Sequence, residues 1–179
     1  MDGKPTAQQL VEARTRVLPD VIAPGLRVLF VGENPGLYSA AIGHQFGRPG
    51  NRFWPALARA GLTPRLYDPR EDQALLELGL GITNLVARTT ARAAELEPEE
   101  LLQGARELTR KVERYAPAVV AVVGITAYRV AFGRPRAKLG WQTERLGPSR
   151  LHVLPNPSGL NAHHQLDALA RLFRAVLDE

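Results

Sequence analysis

The run Arg27-Val28-Leu29-Phe30-Val31, followed by Gly32-Glu33-Asn34-Pro35-Gly36, constrains the fold more than any other stretch of this chain. It is short, nearly continuously apolar and rich in β-branched residues, so it reads as a strand buried on both faces of a parallel sheet. Gly32 and Gly36 let the backbone bend sharply and let a ligand approach it closely. Pro35 fixes its own φ and biases Asn34 toward an extended conformation, which holds the Asn34 amide at the strand's carboxyl end. In open α/β sheets ligands bind at that end. Taken alone, the segment fits a tight strand-to-loop turn without chemistry equally well.

Three further runs share this character: a weaker one at 79–83, the strongest at 118–124 (AVVAVVG), and a short one at 151–154 that stops at Pro155. Helical patterns fill the gaps. An amphipathic lead-in covers 6–18 with Leu10, Val11, Ala13 and Val17, and helices are expected over 51–60 and 69–78. Leu101, Ala105, Leu108, Val112 and Tyr115 form one apolar stripe. A helix over 126–132 follows the third strand, and 164–177 closes the chain with Leu166, Leu169, Leu172, Phe173 and Val176 inward. Alternating strands and helices predict an α/β three-layer sandwich whose central, mainly parallel four-stranded sheet is flanked by helices. With 179 residues and no linker or repeat, one domain is expected over 1–179.

Composition removes several classes of function. No apolar run approaches the roughly 18–20 residues of a membrane span, and the first twenty residues lack a signal-peptide layout. The absence of cysteine excludes disulfides, thiolate zinc sites and cysteine-held iron–sulfur clusters. The four histidines show no metal-ligand spacing, so neither metal nor cofactor is assigned. The expectation is a cytoplasmic, nucleoid-associated monomer. Its charge is uneven: residues 129–150 hold Arg129, Arg134, Arg136, Lys138, Arg145 and Arg150 against Glu144 alone, while the rest of the chain is neutral. Such a stretch points to a phosphate-bearing partner, or to no more than a solvated loop in a chain with 20 arginines.

Polar residues follow every strand: Asn34 the first, Asn84 the second, Thr126 the third, Asn156 and Ser158 the fourth. In a parallel sheet these positions emerge at one edge, as a binding pocket requires. The fourth strand runs into Pro155-Asn156-Pro157-Ser158-Gly159-Leu160-Asn161. Its two prolines stiffen a polar loop from which Leu160 projects, a shape suited to wedging into a base stack or to folding back on the last helix.

Together, GENPG at 32–36, GHQFGRPGNRFW at 43–54, GITNLVAR at 81–88, the AVVAVVG strand and LPNPSGL at 154–160 resemble the mismatch-specific uracil/thymine-DNA glycosylases, a branch of the uracil-DNA glycosylase superfamily. The resemblance covers about residues 22–178, leaving 1–21 as an N-terminal helical extension. It implies an enzyme of base-excision repair that flips a damaged base from double-stranded DNA and hydrolyses its N-glycosidic bond. By the resemblance, Asn34 positions the attacking water and Phe46 stacks on the extruded base. Gly32, Gly36, Ser39, Asn84, Asn156 and Ser158 line the base site. Leu160, with Gly159 and Asn161, enters the minor groove. Two departures stand out: related members carry lysine at the position of Asn84, and an arginine where this chain has Ala162.

Asparagine cannot serve as a general base, so such a site forgoes the roughly 10²–10⁴-fold that acid–base assistance supplies. A slow, largely dissociative hydrolysis is expected. Lys4, Lys111 and Lys138 all lie away from the motifs in sequence, which disfavours a Schiff-base step. Gly36 stands where stringent uracil enzymes place a tyrosine, implying a pocket open to uracil, 3,N4-ethenocytosine and, weakly, thymine, opposite guanine. Two roles stand open for Glu33: its carboxyl faces away from the pocket, or it assists the water. His44 is expected at the entrance near Phe46. A non-catalytic sensor of mismatched DNA is the alternative reading. A nucleotide-binding module is weaker, since neither G-x-G-x-x-G nor a P-loop is present.

Overall fold

Each of the four apolar runs forms a strand. In the computed structural model, which describes residues 3–159 and 163–178, β1 (Val28–Gly32), β2 (Leu80–Asn84), β3 (Val119–Val123), β4 (Gly140–Leu146) and β5 (Ser149–Leu154) make one sheet in the order β2-β1-β3-β5-β4. All neighbours are parallel except β4, which runs antiparallel to β5. The expected four strands are therefore five. The missed strand, GWQTERL, has no apolar run because it is an edge strand in which only Leu146 is buried. A two-residue turn at Gly147-Pro148, with Gly147 at φ +53°, folds β5 back onto it.

Successive strand residues point to opposite faces and build two half-cores. On one face Phe30, Ile82, Ala121 and Leu154 meet Phe53 and Leu57 of one helix (Phe53–Arg59) and Leu169 and Phe173 of another (Leu166–Arg174). On the other, Leu29, Val31, Val122 and Val153 pack against Leu108 and Val112 of the helix Pro98–Tyr115 and Tyr128 of the helix Ile125–Ala131. In chain order the α-helices are α1 (Ala7–Glu12), α2 (Leu37–Ile42), α3 (Phe53–Arg59), α4 (Pro98–Tyr115), α5 (Ile125–Ala131) and α6 (Leu166–Arg174). Two differ from expectation. α2 directly follows the Pro35-Gly36 turn and was not foreseen. The lead-in over 6–18 shortens to α1 plus one 3-10 turn, and Val11 and Val17 are exposed rather than inward. Pro69–Leu78 is helical as expected, but of the tighter 3-10 kind, capped by Asp68 and Glu71 and ended by Gly79 at φ +72°.

The N-terminal segment is tied down at several points. Val21 bridges Ile82 on the open edge of β2, with backbone bonds of 2.9 and 2.8 Å. Asp20 accepts from Lys111 of α4 at 2.5 Å and from Thr83 at 2.7 Å. Arg16 donates to the Ala41 carbonyl of α2 and accepts from the Thr89 hydroxyl. The sheet order places β2 on one side of β1 and β3 on the other, so a crevice opens between β1 and β3 at their carboxyl ends.

Candidate active site

β1 ends at Gly32, in register with Asn84 at the end of β2. A Cβ at Gly32 would lie 2.7 Å from Asn84 Oδ1 and 3.2 Å from Phe46 Cζ, so only glycine allows both side chains to close on the strand end. Beyond it lies a cavity of about 170 Å³ walled by Glu33, Asn34, Phe46, Asn84, Val123 and Asn156, with Gly36, Ser39 and Gln45 also on its lining. That is small beside the roughly 300–1,000 Å³ of pockets for drug-sized ligands. The volume suits one flat, compact group.

The Asn34 amide is fixed by chemistry. Its Nδ2 donates to the Arg88 carbonyl at 2.9 Å and to Thr90 Oγ1 at 2.8 Å, while the Thr90 hydroxyl donates onward to the Arg92 carbonyl at 2.9 Å. A carbonyl oxygen only accepts, so Nδ2 must face Arg88, and among the described residues Oδ1 is left without a donor. Gly36 pairs with Thr90 as an isolated bridge, which closes the turn around the asparagine. Gly36 itself sits at φ −82° with open space where a Cβ would stand, so its backbone would accept another residue.

A second amide relay holds Asn84. Gln45, 2% exposed, donates from Nε2 to the Pro19 carbonyl at 3.4 Å and accepts from Asn84 Nδ2 at 3.0 Å. Pro19 can only accept, which orients Gln45 and in turn Asn84. Asn84 therefore presents Oδ1 as an acceptor, together with its second Nδ2 hydrogen. Phe46 lies against Phe53 with ring centroids 4.0 Å apart, and adopts φ +50°, one of two non-glycine residues in the left-handed region among those described. A bulky residue held there stores strain that the neighbouring loop must enforce. Gly47 donates to the buried Ser39 Oγ at 2.9 Å and supplies part of that enforcement.

Glu33 borders this cavity and a second one lined by Thr126, Leu139, Pro155, His163 and His164. It is half-buried, and burial pushes its carboxyl above the ordinary 4.5. Its backbone carbonyl accepts from Val86 N–H at 2.9 Å, and no described residue hydrogen-bonds its carboxyl. Glu33 therefore belongs to the wall of both cavities. Three expectations change. Thr126 lies on the second cavity, which Asn156 also lines, and not on the one that holds Asn34 and Asn84. Ser158 shapes the loop instead of lining the base cavity: its N–H donates to Asn156 Oδ1 at 2.9 Å and its carbonyl accepts from Arg52 Nη2 at 2.8 Å. His44 pairs with the buried Asp72 at 3.1 Å and does not line the cavity.

Arg52 is the residue that sequence reasoning missed. Its backbone N–H donates to the Pro157 carbonyl at 2.9 Å, and its guanidinium reaches the carbonyls of Ser158 and His164. It thereby clamps the 43–54 loop to the motif after β5. Where the loops touch, a Cβ at Gly159 would stand 2.8 Å from the Gly50 carbonyl. Its only signal was its place inside GNRFW. Gln45 and Thr90 gave less, because their partners lie tens of residues away. Leu160 and Asn161 lie outside the described residues.

A family model described as the Uracil DNA glycosylase superfamily matches residues 19–179. The fold is similar to the solution NMR structure of a Methanosarcina acetivorans protein named as a candidate uracil DNA glycosylase. Identity is 18% and the TM-score 0.57, with 90% of this chain and 97% of that one covered. At that identity the likeness speaks for the fold alone. The family match spans nearly the whole chain and every residue of the cavity. The chain belongs to the uracil DNA glycosylase superfamily.

Proposed function

We propose that this protein is a monofunctional DNA glycosylase of base-excision repair that removes uracil mispaired with guanine from double-stranded DNA. Superfamily members are DNA glycosylases. The observation that carries the reading here is the Asn34 amide on the cavity wall, whose two N–H groups are committed to Arg88 and Thr90 so that Oδ1 is the atom left to accept. An acceptor so held orients a water through one of its hydrogens. In the reaction the water oxygen forms a bond to the sugar C1′ as the C1′–N1 bond breaks, and the electron pair leaves with the base. Glu33 borders the same cavity, its carboxyl has no partner among the described residues, and that carboxylate takes the proton that the water loses. Burial makes Glu33 a better base than an exposed glutamate.

Base recognition follows from the relay through Gln45. Asn84 Oδ1 accepts from a base that carries an N–H, as uracil and thymine do at N3. 3,N4-Ethenocytosine has no such hydrogen, so it ranks below uracil. The free face of Phe46 stacks on the base, a contact worth roughly 1–3 kcal/mol. Gly36 leaves room for the thymine methyl, and a mispaired base is cheaper to extrude than a paired one. Gly159 and Leu160 are the residues that enter the minor groove in this reading.

The test is to incubate the protein in excess over a G:U duplex, then assay free uracil and alkali-revealed strand breaks. The expected result is uracil release with breaks only after alkali. Tight binding with no breaks would instead assign the protein as a sensor of mismatched DNA.

A further inference from the structure

We propose that the loop between α5 and β4 is a second DNA contact, which seats backbone phosphates of the arm of the duplex lying beyond the excised base. This rests on the glycosylase reading for its substrate, but on different residues for its evidence.

The positive excess of residues 129–150 is largely spent on the fold. Arg129 donates to the Ala137 carbonyl through Nε and Nη2 at 3.0 and 2.7 Å. Arg145 holds the Pro148 carbonyl, and Arg150 lies 3.8 Å over the Trp141 ring. Arg134 pairs with Glu144, the stretch's one acid, at 2.9 Å. Arg136 and Lys138 remain: both are exposed, and no described residue pairs with them. Together with the Arg134–Glu144 pair, Trp141 and Gln142 they line a concavity of about 440 Å³ that keeps two positive charges in excess. The loop that carries them is braced. Arg134 N–H bonds the Arg129 carbonyl at 2.9 Å, Ala137 N–H the Arg134 carbonyl at 3.0 Å, and Gln142 reaches the Lys138 carbonyl at 2.8 Å. A rigid concavity with two uncommitted cations suits anionic oxygens, and holding it open costs little ordering on binding.

Register places this loop on the face of the catalytic cavity. Gly140, the first residue of β4, pairs with Val153, and β5 then runs directly into Pro155–Gly159. Leu139 lines the cavity that Glu33 shares with Asn156. β4 lies three strands from β1. At roughly 4.8 Å per strand the offset is about 14 Å. For a duplex crossing the strand ends, that is about four base-pair steps of roughly 3.4 Å. The contact therefore falls on one arm of the duplex, clear of the extruded base.

The experiment measures binding by anisotropy over a range of salt. The probe is a duplex carrying 2′-fluoro-2′-deoxyuridine opposite guanine, which resists cleavage. Each neutralised phosphate adds about 0.9 to the slope of log K against log salt, so Arg136→Ala/Lys138→Ala is expected to lower it by about 1.8. Each single variant is expected to remove about half of that, and Arg136→Lys/Lys138→Arg to restore it. Trimming one arm of the duplex to fewer than four base pairs should abolish the difference between wild type and double variant. Trimming the other should not. Both side chains are exposed, so melting temperatures should stay unchanged; should the double variant melt early, the single variants carry the test. Equal slopes for wild type and variants, or a difference that survives trimming of either arm, would overturn the contact and assign the patch to something other than the duplex. Absence of DNA binding would overturn it as well. Cleavage of an ordinary G:U duplex is scored separately. Normal cleavage with equal slopes removes only this contact, whereas a lowered slope without cleavage removes only the glycosylase reading.

Discussion

Glu33 is a carboxyl that the fold holds at a cost, which makes it the most informative side chain for chemistry. Its pKa lies above 4.5 because burial penalises the charged form. The sign follows directly: near neutral pH the ionised group destabilises the native state, and the penalty fades as pH falls through the raised value. Glu33→Gln should therefore raise the melting temperature at pH 7, with the gain shrinking in acid, and should lower the single-turnover excision rate. A rate unchanged by the substitution would remove Glu33 from the reaction. At Gly36 the backbone is ordinary and the space open, so Gly36→Tyr should fold normally. It should suppress thymine excision from G:T far more than uracil excision from G:U. Rates on the two duplexes, compared for both proteins, give the answer.

At the scale of elements, the site is a junction of four loops, after β1, around 43–54, after β2 and after β5, locked together by amides and one guanidinium. Removing Arg52 should loosen all of it. Arg52→Ala is expected to cost about 2 kcal/mol, as hydrogen bonds from a charged group typically do, and to weaken binding to a G:U duplex. Arg52→Lys should rescue neither, because an ammonium cannot span the Ser158 and His164 carbonyls as a planar fork does. Urea unfolding and duplex affinity measure the two effects. The strands and most helices were legible because burial on both faces writes continuous apolar runs, and amphipathic helices write stripes. β4 was not, since an edge strand alternates weakly and carries charge. α2 is only six residues, too short to show a period. The site was half legible. Asn34, Phe46, Asn84 and Asn156 stand at strand ends or in motifs, whereas Thr90, Gln45 and Arg52 act through partners that only the fold brings near.

For the whole molecule, a buried histidine couples the sheet to pH. His152 is 1% exposed between Trp141 and the core. Burial pushes its pKa down to about 4; nearby Asp178 opposes that shift and Arg150 adds to it. Above pH 6.5 the group is neutral in both native and unfolded chains and contributes no pH dependence. Between 6.5 and about 4 the unfolded chain binds a proton that the native chain refuses, so stability falls by up to about 3 kcal/mol at 1.36 kcal/mol per unit. His152→Leu should flatten the profile across that window, as unfolding free energies at pH 7 and pH 4.5 would show. The same whole-molecule view explains the charge. The excess at 129–150 was visible in the sequence, but only the ion pairs and carbonyl contacts separate the cations that build the fold from the two left for a partner.

On the proposed mechanism Asn34, held by Arg88 and Thr90, orients the water that cleaves the glycosidic bond. Single-turnover excision of uracil from a G:U duplex, wild type against Asn34→Ala, is the test. A misplaced nucleophile costs about 10²-fold or more. Asn34→Ala is expected to lose at least that much rate and to keep its affinity for the uncleaved duplex. A variant that excises uracil within a few-fold of wild type would contradict that mechanism.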